Sequence, residues 1–175
     1  MDLMKLLKAK SDHLLSQQSR SDTIAANMIT DLKIQFETFL RDISQLDEFR
    51  QSNPLNGVKC IAGEILLEDE YGVLGKSPYL FLRIPGHPGL LLEVSHSDHL
   101  VLFIATEARP IKRRWNGEQS SQVVFVRRPH PLGQFVVLEP DVVRNLSNQQ
   151  TLIGIRLFEH LVETLITHIS PTPLR

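Results

Sequence analysis

Apolar residues recur with two different periods along this chain. From Ile24 onward, Ile24, Met28, Leu32, Phe36, Phe39, Ile43 and Leu46 follow one another at spacings of 4, 4, 4, 3, 4 and 3. Residues three and four apart share a side of an α-helix, so the run predicts one apolar stripe on a helix of about 25 residues. Lys33, Glu37 and Arg41 fall outside the stripe as i,i+4 opposite charges. Ahead of it, Leu3, Leu6, Leu7 and Leu14 share one side of a further helical segment. Ser19, Arg20, Ser21 and Asp22 then offer helix-capping side chains, so a second helix starts there or one long helix runs through. Asn53-Pro54 and Asn56-Gly57 close the helical region.

From Val58 the period shortens toward two. The expected strands are Val58 to Glu68, Tyr79 to Ile84, Leu90 to Ser95, His99 to Thr106, Pro110 to Trp115, Gln122 to Arg128 and Gln134 to Leu138. The breaks carry turn residues, among them Pro85-Gly86-His87-Pro88-Gly89, Asn116-Gly117 and Pro129-His130-Pro131-Leu132-Gly133. Connections this short join antiparallel neighbours, because a parallel crossover needs a dozen residues or more. Leu100 to Ile104 and Val123 to Val126 are apolar on both faces, which predicts strands covered on both sides. Past Pro140-Asp141 a short helical turn is expected, and Ser147 is placed to cap a last helix. Its main stripe is Leu152, Ile155, Phe158, Val162, Leu165 and Ile169, broadened by Ile153, Leu157, Leu161 and Ile166. So wide an apolar surface predicts a buried helix.

The pattern therefore describes one α+β domain over residues 1–175. A helical N-terminal region (1–50) leads to a central antiparallel sheet of five to seven strands (58–138), followed by C-terminal helices (141–169), the last of them buried. The length and the 42% apolar, 22% charged composition agree, being close to globular averages and enough for a full core. A net charge of −1 excludes a globally basic nucleic-acid binder but not a local basic patch. With Cys60 the sole cysteine, an internal disulfide and the usual thiolate zinc cages are excluded. One cysteine, no secretion signal and no long apolar span make a cytoplasmic location the expectation, with no membrane partner.

Chemistry is sparse. His87, His96 and His99 lie close in sequence, and His96-Ser97-Asp98-His99 has the H-x-x-H form of a metal site, yet it falls in an expected hairpin turn, where solvated imidazoles are ordinary. Cys60 sits in an apolar strand as a small hydrophobe. Ser95 and Ser97 lack a nucleophile-elbow frame. Glu64, Glu68, Asp69 and Glu70 read as a solvated strand end. No catalytic residue, metal site or cofactor is assigned on this basis.

Charge is partitioned more tellingly. Residues 51–107 hold Lys59, Lys76 and Arg83 against seven acids; residues 108–134 hold Arg109, Lys112, Arg113, Arg114, Arg127 and Arg128 against Glu118 alone. Paired as a hairpin, the latter would concentrate cations, with Trp115 available to stack on a base or anchor an interface. The alternative is an internal match to the acidic segment or a charged edge that resists aggregation. Alternation separates Lys112 and Arg114 from Ile111, Arg113 and Trp115, so Lys112, Arg114, Arg127 and Arg109 form the expected outer set, with Trp115 partly buried.

Three functions fit these residues. The first is a non-enzymatic protein-binding module (an adaptor, chaperone or subunit of a larger assembly), contacting another protein or its own copy through the N-terminal helices. The second is a nucleic-acid-binding or regulatory protein using the basic hairpin. The third is an enzyme with a dispersed site near His87, His96 and His99.

Overall fold

The computed structural model describes residues 3–46, 55–69, 71–115, 117–139 and 142–169, with the backbone alone at 9–23, 67–69, 72–74 and 115. Its elements run α1 (Leu3–Gln45), β1 (Lys59–Asp69), β2 (Gly72–Arg83), β3 (Gly89–His96), β4 (His99–Trp115), β5 (Glu118–Glu139), β6 (Val142–Asn145), β7 (Gln150–Ile153) and α2 (Gly154–Ile169). The seven strands form one sheet in the order β1-β2-β3-β4-β5-β6-β7, every neighbouring pair antiparallel. The protein is thus an α+β fold with a helix toward each end of a curled antiparallel meander.

The cap-rich stretch around Ser19 does not interrupt α1, which is a single helix of 43 residues. Its buried side is Ala25, Ala26, Met28, Ile29, Leu32 and Phe36, with Phe39, Leu40 and Ile43 packed at the margin. Ile24 and Leu46, which the spacing put in the stripe, are 42% and 49% exposed: the small Ala25 and Ala26 let the helix approach the sheet along a line rotated from the bulky residues. One backbone bond ties it down, Ala25 N–H donating to the Ser97 carbonyl in the β3–β4 turn at 3.2 Å.

Under α1 lie Leu80, Leu82, Leu90, Leu92, Leu100 and Leu102, alternate residues of β2, β3 and β4 that point to one face. Phe158 of α2 meets Phe36 and Phe39 edge-on, with centroids 5.0 and 5.6 Å apart. The buried residues of α2 are Leu157, Leu161, Val162, Thr164 and Leu165, whereas Ile155, an expected stripe residue, is 66% exposed. The helix thus buries Val162 and Leu165 of the expected stripe, with Phe158 and Ile169 packed beside them, together with Leu157 and Leu161 of its broadened margin.

The C-terminal hairpin corrects the reading directly. Residues 142–145 and 150–153 are strands, not a helical turn and the start of a capped helix. The turn is built by Asn145, fully buried, whose Oδ1 accepts the Ser147 and Asn148 N–H groups at 2.9 and 3.2 Å. Ser147 thus follows a side-chain turn and caps nothing, and α2 begins at Gly154.

Strand pairs expected to be separate are continuous. β4 spans what read as 99–106 and 110–115, and β5 spans 122–128 and 134–138. Two irregularities mark the expected breaks. Between the pairs Ala108↔Val124 and Ile111↔Gln122 the β4 strand carries an extra residue, at Arg109-Pro110, where proline has no N–H for the ladder. Between Val101↔Gln134 and Phe103↔Pro129 the β5 residues 130–133 stand out of the ladder as a wide bulge.

A smaller second core lies on the opposite face, made of Tyr79, Phe81, Leu91, Ala105 and Phe125. Phe125 touches Tyr79 and Phe81 at centroid distances of 5.3 and 4.8 Å. β3 and β4 separate β5 from β2, which in a flat sheet would put these strands about 14 Å apart, at about 4.8 Å per step. The contact therefore requires the β4–β5 hairpin to curl over the face. Gly89 makes room, since a methyl group there would collide with the Phe81 ring and the Leu82 carbonyl. Two bidentate ion pairs flank this core: Arg83 donates to Glu107 at 2.6 and 2.9 Å, and Arg127 donates to Glu93 through Nε at 2.9 Å and through Nη2. Of the apolar run at 123–126, only Val123 and Phe125 face a core; Val126 is 62% exposed, so this part of β5 is covered on one side.

Candidate functional site

The curl decides what the basic hairpin can offer. Arg127, expected among the outward cations, is held by Glu93 and lies over the Phe125 ring, its guanidinium carbon 5.7 Å from the centroid. Its partner comes from β3, not from the acidic residues at the end of β1. Arg113 is half-buried and lines a hollow of about 210 Å³ with Ile65, Leu66 and Ile111. Lys112 and Arg114 lie opposite Ser121 and Gln119 in the ladder and are exposed, as are Arg109 and Arg128. None of these four makes an ion pair among the described residues. The side chains of Trp115, Glu68 and Asp69, and all of Glu70, lie outside the described residues.

The three histidines near one another in sequence do not converge. His96 and His99 face each other across the β3–β4 turn, rings edge-on at 5.3 Å, and His99 Nδ1 bonds Asp98 Oδ1 at 2.7 Å. His87 sits in the β2–β3 turn against the Pro85 carbonyl. The eight residues of β3 separate the two turns, about 25 Å of extended chain. No hydroxyl bonds the remaining nitrogen of His99 among the described residues, and none of those residues forms a group of three or more His, Cys, Asp or Glu able to hold a metal ion. His87, His96 and His99 are therefore not brought into one site. Cys60 packs against the main core, and burial, followed by the nearby Glu37 charge, pushes its thiol from 9.0 up to about 12. A thiol held this high carries little thiolate at neutral pH, in keeping with its packing role.

A different histidine group is assembled by the fold. A groove of about 470 Å³ opens between the β5 bulge and α2, with Ile104, Pro131 and Leu132 as apolar wall and His130, His160 and His168 converging on it. His160, Thr164 and His168 recur every four residues along one side of α2. Gly133 lets the bulge fold tightly, because a side chain there would strike the His130 carbonyl. Leu132 N–H donates to His130 Nδ1 at 3.0 Å. Burial, followed by the neighbouring His168 and His160, holds the His130 ring below the usual histidine value of 6.5. The i, i+4, i+8 polar row of α2 is visible in the sequence, but its counterpart His130 is thirty residues away, in a stretch whose prolines and glycine predict a loop.

The N-terminal half of α1 presents the other exposed surface. Leu3, Met4, Leu6 and Leu7 are 67%, 71%, 51% and 53% exposed, and among the described side chains of the helix the first buried one is Ala25. No helix among the described residues is long and apolar enough to cross a membrane. Comparison of the chain with protein-family models, curated proteins and solved structures finds no match.

Proposed function

We propose that the protein is a non-enzymatic protein-binding module, an adaptor, chaperone or subunit of a larger assembly, that engages its partner through the N-terminal arm of α1. The exposure of four large apolar residues within the first two turns of a helix whose described buried side chains run from Ala25 carries this reading. Helices in proteins draw most of their stability from packing an apolar face, so an arm of this kind is completed by another chain. Leu3 with Leu6 and Leu7 supplies i,i+3 and i,i+4 anchors for a groove. Lys5 and Lys8 border them, which favours a partner groove with an acidic rim.

Deletion of residues 1–18 tests this. The shortened chain is expected to fold and melt with the parent while losing its partner or its self-association, read by light scattering and by pull-down from the native host with nuclease present. An insoluble product assigns the segment to the core; a soluble one that keeps every interaction places the binding surface elsewhere. Either defeats the proposal.

A second reading rests on Arg109, Lys112, Arg114 and Arg128, exposed and without an ion pair among the described residues, which suit nucleic acid or another acidic partner. Lys112→Glu with Arg114→Glu is expected to leave the melting temperature nearly unchanged, since exposed charges contribute about 0–1 kcal/mol each. It should abolish a nuclease-sensitive, steeply salt-dependent interaction. Retention of every interaction reduces the hairpin to a charged edge.

A further inference from the structure

Each imidazole in the groove beside α2 is fixed through one nitrogen. His130 Nδ1 accepts the Leu132 N–H, so the neutral ring carries its proton on Nε2 and is a donor there. His160 Nε2 faces Asn145 Nδ2 at 3.5 Å, and the Asn145 amide is oriented by the two backbone N–H groups its oxygen accepts. His160 Nε2 is therefore also an acceptor. His168 is different: its Nε2 lies 2.7 Å from the Pro88 carbonyl, so that nitrogen donates and the ring can take a second proton on Nδ1 without losing its bond. Among the three, His168 is the one whose hydrogen bond tolerates a full charge.

The surroundings add positive character. Ile104 in the groove wall pairs with Arg128 across β4 and β5, so Arg128 projects on the same face, exposed and without an ion pair among the described residues. Glu163 on α2 is the carboxylate in the lining, and His87 is the titratable neighbour of Pro88 in the turn that meets His168. Opposite the polar row, Pro131 and Leu132 offer an apolar wall. Small-molecule sites fall at about 300–1,000 Å³ with an apolar lining and a few convergent polar groups, and the groove's 470 Å³ belongs in that range.

We propose that this groove binds a small organic anion, a carboxylate or phosphate carried on a short apolar body, with His168 and the His130 Nε2–H holding the anion, Arg128 at the rim, and Ile104, Pro131 and Leu132 against the apolar part. A metal ion is disfavoured there, because His130 Nδ1 is engaged by the Leu132 N–H and Nε2 then carries the proton. The site is independent of the arm of α1 and of the partner that arm takes.

Imidazole nitrogen spectra of the full labelled chain, titrated with benzoate and with phenyl phosphate at constant ionic strength, test the proposal. Saturating shifts are expected at His130 and His168, with none at His96 and His99 at the far end of β3. Glu163→Gln should tighten binding and Arg128→Ala weaken it, each by about two- to fivefold, the size of a single exposed charge interaction. Whichever of the two anions saturates assigns the headgroup. Neutral benzamide supplies the control for the apolar wall: saturation equal to that of benzoate would overturn anion recognition. So would linear, unsaturating shifts with both anions, or shifts at His96 and His99 equal to those at His130 and His168.

Discussion

Replacing Phe125 with alanine tests whether the β4–β5 hairpin is closed over the second core. Phe125 is 5% exposed and meets Tyr79 and Phe81 at 5.3 and 4.8 Å. Truncating a buried phenylalanine costs about 3–5 kcal/mol, a range that includes the edge contacts between rings. This core is small and open at its margins, so water can enter the space left behind, and about 3 kcal/mol is the appropriate end. Against a total of about 5–15 kcal/mol the domain stays folded. At about 2–4 °C per kcal/mol for a chain of this size, the melting temperature should fall by about 6–12 °C. Val126→Ala, one residue further and 62% exposed, is the matched control and should stay within about 0.5 kcal/mol of the parent. Calorimetry measures the global effect, and hydrogen exchange over 107–126 shows whether the hairpin opens on its own. A Phe125→Ala protein that melts with the parent and exchanges no faster there would refute the closed arrangement.

Three further outcomes follow from particular contacts. Phe36→Ala, at a fully buried position, should cost about 3–5 kcal/mol in urea melts. Phe39→Ala, at the margin, should cost less, and the reverse order would mean that α1 is rotated on the sheet. Asn145→Ala leaves two turn N–H groups without their acceptor, so a loss of about 1–3 kcal/mol is expected; an unchanged urea midpoint would show that the turn holds without the side chain. Because burial raises the Cys60 thiol from 9.0 to about 12, iodoacetamide should label the native chain far more slowly than the unfolded one. The raised value also means that the associated stability is complete below about pH 9 and is lost as pH climbs toward 12. Equal labelling rates before and after denaturation would contradict that burial.

Period and punctuation were enough to read the α+β class, the antiparallel order and the last helix. They were not enough to fix phase. Isoleucine and phenylalanine dominate a hydrophobic count, yet it is Ala25 and Ala26 that let α1 come close, and Leu157 and Leu161 rather than Ile155 that α2 turns inward. The 142–153 hairpin was missed because Ser147 looks like a helix cap when Asn145 is not recognised as the residue building the turn. Proline and glycine at 110 and 129–133 read as strand ends, whereas a long strand can absorb them as bulges while its ladder resumes beyond. Pairings that skip strands, such as Arg127 with Glu93 or His130 with α2, depend on curvature. No local pattern encodes that, and so the arginines could be named while the clasping of Arg127 by Glu93 could not.

The meander has a consequence for the order of synthesis. Every strand pairs with its sequence neighbour, so each hairpin can close as soon as its second strand leaves the ribosome. α1 has no such immediate partner: Phe36 and Leu32 are made first, and the leucines of β2 to β4 that cover them follow about 50–70 residues later. At about 5–20 residues per second, that leaves a nascent amphipathic helix uncovered for roughly 3–14 seconds. A chaperone that binds apolar helices therefore meets this chain early and must release it once the Leu100–Leu102 segment emerges.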